Sequence, residues 1–190
     1  MIRIAITGGI GSGKTFMSKL FGYPVFNADK AVSNIYLKNK KIFFRIKKKL
    51  PKLSFSFPIK KRELINAILE NKGNLKKISS IVHPEVRKSL ISFLQKNKNK
   101  RIVVLDIPLF LENKLNRKTD IIIFIQANKK QVLKKIKNRK NFNYLILKRL
   151  EDLQLDLSYK KKKSHYVIKN NFNKKTARKK VKDILKIILK

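Results

Sequence analysis

Short apolar runs alternate along the chain with stretches of helical spacing. Residues 2–7 (IRIAIT) carry Ile2, Ile4, Ala5 and Ile6 and predict a buried strand. A loop with Gly8, Gly9, Gly11 and Gly13 follows, then a helix over 14–21. YPVFNAD (23–29) predicts a short strand ending in polar residues, and KAVSNIYLK (30–38) a helix. Residues 39–61 read as lysine-rich and irregular, broken by Pro51 and Pro58. Leu64, Ile65 and Ile68 predict one amphipathic helix. Val86, Leu90, Phe93 and Leu94 predict another, starting after His83 and Pro84. RIVVLDIPLF (101–110) and TDIIIFIQA (119–127) predict two fully apolar strands. Ile146, Leu150, Leu153 and Leu157 predict one long helix, HYVIKNN (165–171) a last short strand, and Ala177, Val181, Ile184 and Ile188 a closing amphipathic helix.

The strands are continuously apolar, and helices separate them. That is the pattern of an α/β fold with a mostly parallel five-stranded sheet covered on both faces. The nearly all-helical stretch between about 35 and 95 predicts a helical insertion between the second and third strands. At 190 residues one domain is expected.

Composition narrows the chemistry. The absence of cysteine excludes disulfides and thiolate metal sites, and two histidines argue against zinc. No apolar run has membrane-spanning length, and the glycine loop interrupts any signal-peptide core, so a cytoplasmic protein without membrane contact is expected. The net charge is +38, from 49 basic and 11 acidic residues. Two readings stand: a polyanion-binding surface, or compositional drift toward A+T-rich codons, which also explains the abundance of asparagine and isoleucine. The lysines are spread along the chain rather than gathered in one arm. Anionic substrates and, non-specifically, nucleic acid are attracted in either case.

Gly8-Gly9-Ile10-Gly11-Ser12-Gly13-Lys14-Thr15 matches the phosphate-loop pattern G-x-x-x-x-G-K-[ST] in full, between a strand and a helix. Glycines let successive backbone N–H groups turn toward phosphate oxygens, and the helix start adds free N–H groups and a positive dipole end. ATP is the expected cofactor: Gly9 to Thr15 hold its phosphates, Lys14 reaches the β- and γ-phosphates, and Thr15 gives its hydroxyl to Mg²⁺. Asp29 lies just past the second strand, at the carboxyl edge of a parallel sheet. It is either the base that takes an attacking hydroxyl's proton or the N-cap of a helix starting at Lys30. Asp106 ends an apolar strand and either orders the Mg²⁺ shell or caps the turn before Pro108.

The blocks ITGGIGSGKT, VFNADKAV, VHPEVRK, VVLDIPLFLEN, QVLKKIKNRK, RLEDLQ and HYVIKNN, in this order, resemble the dephospho-CoA kinase family from the first residues to about 171. The resemblance implies transfer of the ATP γ-phosphate to the ribose 3′-hydroxyl of dephospho-CoA. It implies a phosphate-loop core (1–30, 100–128, 160–190), a helical substrate insertion (about 31–99) and a helical lid (about 129–158). It assigns Asp29 as general base and Arg139 as the lid arginine over the transferring phosphate, although Arg139 also reads as part of a solvated helix face. Pro108, Leu109 and Glu112 fall on the acceptor side. His83 falls in the substrate domain, where a structural role is favoured over contact. Arg149 and Gln154 sit on the next helix at the family's spacing.

Departures are visible too. Asn27 stands where the family often has an aspartate, Lys135 where a lid arginine is common, and His165 where a carboxylate is usual. Lys61 and Arg62 share a place where one arginine is usual. A monomer is expected. The alternatives are another nucleoside or nucleotide kinase of similar design and, from the charge alone, a nucleic-acid-binding phosphate-loop protein, for which no recognisable module is present.

Overall fold

Five strands form one sheet in the order β2-β3-β1-β4-β5, every neighbouring pair parallel. They are β1 (Ile2–Gly8), β2 (Val25–Asn27), β3 (Ile102–Asp106), β4 (Ile121–Ala127) and β5 (Tyr166–Asn170). The structure is a computed structural model and describes residues 1–138 and 142–190. Arg139, expected to be the lid arginine, lies outside the described residues.

The chain divides into two compact units. The first comprises 1–27, 97–142 and 151–190. It holds the sheet with α1 (Lys14–Leu20), α6 (Lys129–Lys137), α8 (Leu157–Lys162) and α9 (Lys174–Ile188). Strand β3 is buried at every residue, as a parallel sheet covered by helices demands. Its core gathers Ile4, Ile6, Met17, Val104, Ile123 and Val181. β1 is central: the chain leaves it for β2 and β3 on one side and returns to β4 on the other. The crevice at such a reversal, outside the carboxyl ends of the strands, is where α/β sheets hold ligands.

The second unit comprises 28–96 and 143–150. It is made of α2 (Ala28–Lys38), α3 (Lys40–Lys49), α4 (Lys61–Glu70), α5 (Lys72–Lys96) and nearly all of α7 (Tyr144–Glu151). Its own core packs Ile42, Ile46, Ile59, Ala67, Ile78 and Val82. The segment 143–150, expected within the lid, clusters with this unit. Among the described residues no helix is long and apolar enough to cross a membrane.

Three elements differ from expectation. Residues 40–49 are helical, not irregular: Asn39 caps α3 by accepting the Ile42 N–H at 3.1 Å, and Ile42, Phe43 and Ile46 bury one face. The expected helix over 146–157 is two, α7 and α8, parted by a turn in which the Gln154 N–H bonds the Glu151 carbonyl at 2.8 Å. Pro84 does not open a helix but lies inside α5. An interior proline costs a helix about 3 kcal/mol, and burial of Ile78, Ile81 and Val82 on the preceding turns carries the helix through it.

Candidate active site

The phosphate loop leaves β1 at Gly8 and ends at Gly13, which stands as N-cap of α1 in the left-handed region (φ 93°). A side chain is excluded at Gly13 twice over. The backbone conformation disfavours it, and an added Cβ would fall 2.5 Å from the Asn170 Nδ2. Gly8 is similarly confined, with the Ile125 carbonyl oxygen 2.6 Å from its would-be Cβ. At these positions the loop lies directly against β4 and β5, with no room for a side chain. The first turn of α1 carries no acidic residue and Gly13 makes no side-chain cap, so the positive helix end is left for an anion.

Lys14 is buried, and its Nζ donates to the Gly8 carbonyl at 3.0 Å and the Gly9 carbonyl at 2.8 Å. The cation therefore lies on the loop it serves. Ser12 Oγ and Thr7 Oγ1 are buried with no hydrogen-bond partner among the described residues, hydroxyls that an oxygen-rich ligand would satisfy. Thr15 lies in the first turn of α1 and is exposed, and Ile10 sits half-buried in the turn of the loop.

Asp106 ends β3, 2% exposed, with Ile6 of β1 opposite it in register and Asn27 of β2 on its other side. The Asn27 Nδ2 donates to the Asp106 Oδ2 at 2.6 Å. The departure at position 27 thus presents a donor to the Asp106 carboxylate, where an aspartate would present a second negative charge. The donor set fits Mg²⁺ as phosphate-loop proteins hold it. Thr15 and Asp106 offer oxygen ligands, and among the described residues no cluster of three acidic or histidine side chains forms an all-protein cage. Mg²⁺ ordinarily takes its remaining ligands from phosphates and water.

In the second unit Asp29 is exposed in the first turn of α2, and its carbonyl accepts the Ser33 hydroxyl at 2.9 Å. The helix begins at Ala28, so Asp29 is not its N-cap, and its negative charge favours the helix start from within the turn. His83 is half-buried within α5, where burial and then the Arg87 charge lower its pKa below 6.5. Arg149 donates to the Leu69 carbonyl at 3.1 Å, joining α7 to the end of α4.

In the first unit Pro108 and Leu109 are half-buried in the turn after β3. Glu112, expected on the acceptor side, uses its Oε1 within the protein: it accepts from Lys160 Nζ at 2.6 Å and from the Leu155 N–H at 3.1 Å. Lys135 stacks its ammonium over the Phe172 ring at 4.8 Å.

Asn170 has no assigned role in the sequence reading. It ends β5, 5% exposed, donates from Nδ2 to the Ser12 carbonyl at 2.8 Å and accepts the Phe172 N–H on Oδ1 at 2.8 Å. The available signal was its place: a polar residue closing an apolar strand in a parallel sheet, on the edge that carries the phosphate loop.

A family model described as dephospho-CoA kinase matches residues 2–176. A dephospho-CoA kinase of Wolbachia pipientis wMel is 33% identical over 187 residues, covering 96% of this chain and 95% of that protein. Among solved structures, TT1252 from Thermus thermophilus superposes with a TM-score of 0.79 at 25% identity, over 100% of this chain and 98% of its own. A dephospho-CoA kinase from Campylobacter jejuni superposes with a TM-score of 0.66 at 23% identity, over 98% of this chain and 96% of its own, a likeness of fold.

Proposed function

The chain belongs to the dephospho-CoA kinase family and phosphorylates dephospho-CoA at the expense of ATP in coenzyme A biosynthesis; on that premise we propose how its residues divide the work. One observation supports the division. The phosphate loop, Asn27 and Asp106 stand at the carboxyl ends of three adjacent strands, with Ile6, Asp106 and Asn27 in register.

Gly9, Ile10, Gly11, Ser12 and Gly13 present backbone N–H groups to the β- and γ-phosphates of ATP, and Lys14 leaves the loop carbonyls to neutralise them. Thr15 and Asp106 would hold Mg²⁺, with Asp106 steered by the Asn27 amide. The ion would supply charge neutralisation at the phosphates. Asp29 accepts the proton of the ribose 3′-hydroxyl, whose oxygen forms the new bond to the γ-phosphorus as the bond to the β,γ-bridging oxygen breaks and ADP departs. Arg139 pairs the transferring phosphoryl oxygens through its planar fork. His83, Pro108 and Leu109 belong to the acceptor side, and the lid spans about 129–158. The enzyme works as a cytoplasmic monomer, and its charge draws in anionic substrates without a specific nucleic-acid partner.

Steady-state kinetics of Asp29→Asn test this division. The expected result is a loss of kcat of at least about a hundredfold, the scale of general-base catalysis, with the KM for ATP nearly unchanged. A variant with wild-type kcat removes Asp29 from the base role.

A further inference from the structure

Lys160 is fully buried, a rare state for a lysine unless it is paired. Its Nζ bonds the Glu112 Oε1 at 2.6 Å and approaches the Pro108 carbonyl at 3.5 Å, and the Glu112 side chain is only 9% exposed. Among the described residues Lys160 is the cation within ion-pair distance of Glu112. The same Oε1 accepts the Leu155 N–H, so one carboxylate oxygen grips both α8 and the turn that leads into it. α8 is closed at that end by Asp156, whose side chain accepts the Ser158 and Tyr159 N–H groups.

Between these anchors stands Leu157, 46% exposed, with its two methyl carbons 3.4 and 3.6 Å from the position a Cβ would take on Gly9. Gly9 in turn supplies the carbonyl on which Lys14 rests at 2.8 Å, and it accepts the Ser12 N–H at 3.2 Å. The buried ion pair thus fastens the helix whose first residue, Leu157, stands beside Gly9 of the phosphate loop, all within the first unit.

We propose that Lys160 is a positioning residue for ATP: through Glu112 it fastens α8, so that Leu157 stands beside Gly9 and limits the movement of the loop carbonyl that carries Lys14. The pair lies beside the turn 107–112 yet acts on the donor nucleotide, not on the acceptor. Removing one partner of this buried pair leaves an uncompensated charge, so the pair holds α8 in one place. The proposal rests on the kinase activity, which the wild type has to display before variants are compared.

The experiment measures kcat, the KM for ATP, the KM for dephospho-CoA and the thermal midpoint in Glu112→Gln, Leu157→Ala, Lys160→Arg and the double variant Lys160→Met/Glu112→Met. The double variant removes both charges, so it folds even where Lys160→Met alone does not. Glu112→Gln, Leu157→Ala and the double variant are expected to raise the KM for ATP about five- to tenfold, with the acceptor KM within about twofold. Lys160→Arg keeps both constants near wild type. A lowered thermal midpoint with an unchanged KM for ATP would make the pair purely structural. A raised acceptor KM with an unchanged ATP KM would make Glu112 an acceptor contact. Either result overturns the proposal.

Discussion

Asn170 at the end of β5 donates from its buried amide to the Ser12 carbonyl at 2.8 Å, across 158 residues of sequence. The glycine loop is pinned from the edge strand as well as by its own neighbours, Lys14 and Ser12. Truncating Asn170 leaves a buried carbonyl unpaired, a cost of about 1–3 kcal/mol, and frees the loop at the residue before Gly13. Asn170→Ala is expected to lower kcat/KM for ATP about tenfold, equivalent to about 1.4 kcal/mol. Measured at saturating dephospho-CoA, an unchanged value removes Asn170 from the loop's support.

Lys14 binds two loop carbonyls, so its replacement removes charge without disturbing the sheet. Lys14→Ala is expected to abolish acceptor-dependent ATP turnover while circular dichroism stays native. A folded, active variant contradicts the assignment of the loop as the ATP site.

Arg3 and Asp120 form a forked pair at the opposite end of the sheet. Nε faces Oδ1 at 2.9 Å as an ionic contact, and the second nitrogen donates to Oδ2 at 3.0 Å. Burial pushes the Asp120 carboxyl up and the Arg3 guanidinium down, each opposed by the charge of its partner. Asp120→Ala strands a guanidinium that is 6% exposed and is expected to cost about 3–5 kcal/mol of unfolding free energy. Arg3→Met combined with Asp120→Leu is expected to recover most of that loss. Denaturant titration checks both, and equal stability of Asp120→Ala and wild type refutes the coupling.

His83 supplies a pH dependence of stability. Burial, then the Arg87 charge, holds its folded pKa below the 6.5 of an unperturbed imidazole. Below that pH the unfolded chain takes up a proton that the folded chain resists, so stability falls as pH drops from 7.5 through 6.5. His83→Gln is expected to flatten the thermal midpoint against pH between 7.5 and 5.5. An equal slope in both proteins assigns the dependence elsewhere.

The strands and the phosphate loop were legible in the sequence because their signals are local: continuous apolar runs, and glycines at a fixed spacing before Lys14. What failed was local evidence outweighed by distant packing. Ile42, Phe43 and Ile46 hold helical spacing in α3, but the surrounding lysines read as irregular chain. Pro84 read as a start because a proline favours the first turn, while the burial that carries α5 through it depends on tertiary contacts. Leu153 and Leu157 continued a 4-3-4 pattern across a turn that periodicity cannot see. At the site, Asp106 and Asn27 stood out as polar residues at strand ends, whereas the partners of Glu112 and Asn170 lie 48 and 158 residues away and leave no pattern of spacing.

The phosphate loop is expected to serve one acceptor, dephospho-CoA. The direct measurement is coupled ADP release with ATP and Mg²⁺ over a panel of dephospho-CoA, nucleosides and nucleoside monophosphates, with the product of the active well identified by mass. ADP release that depends on dephospho-CoA, with coenzyme A as the product, is the predicted result. Release stimulated by a nucleoside or a nucleotide, with none from dephospho-CoA, would contradict it.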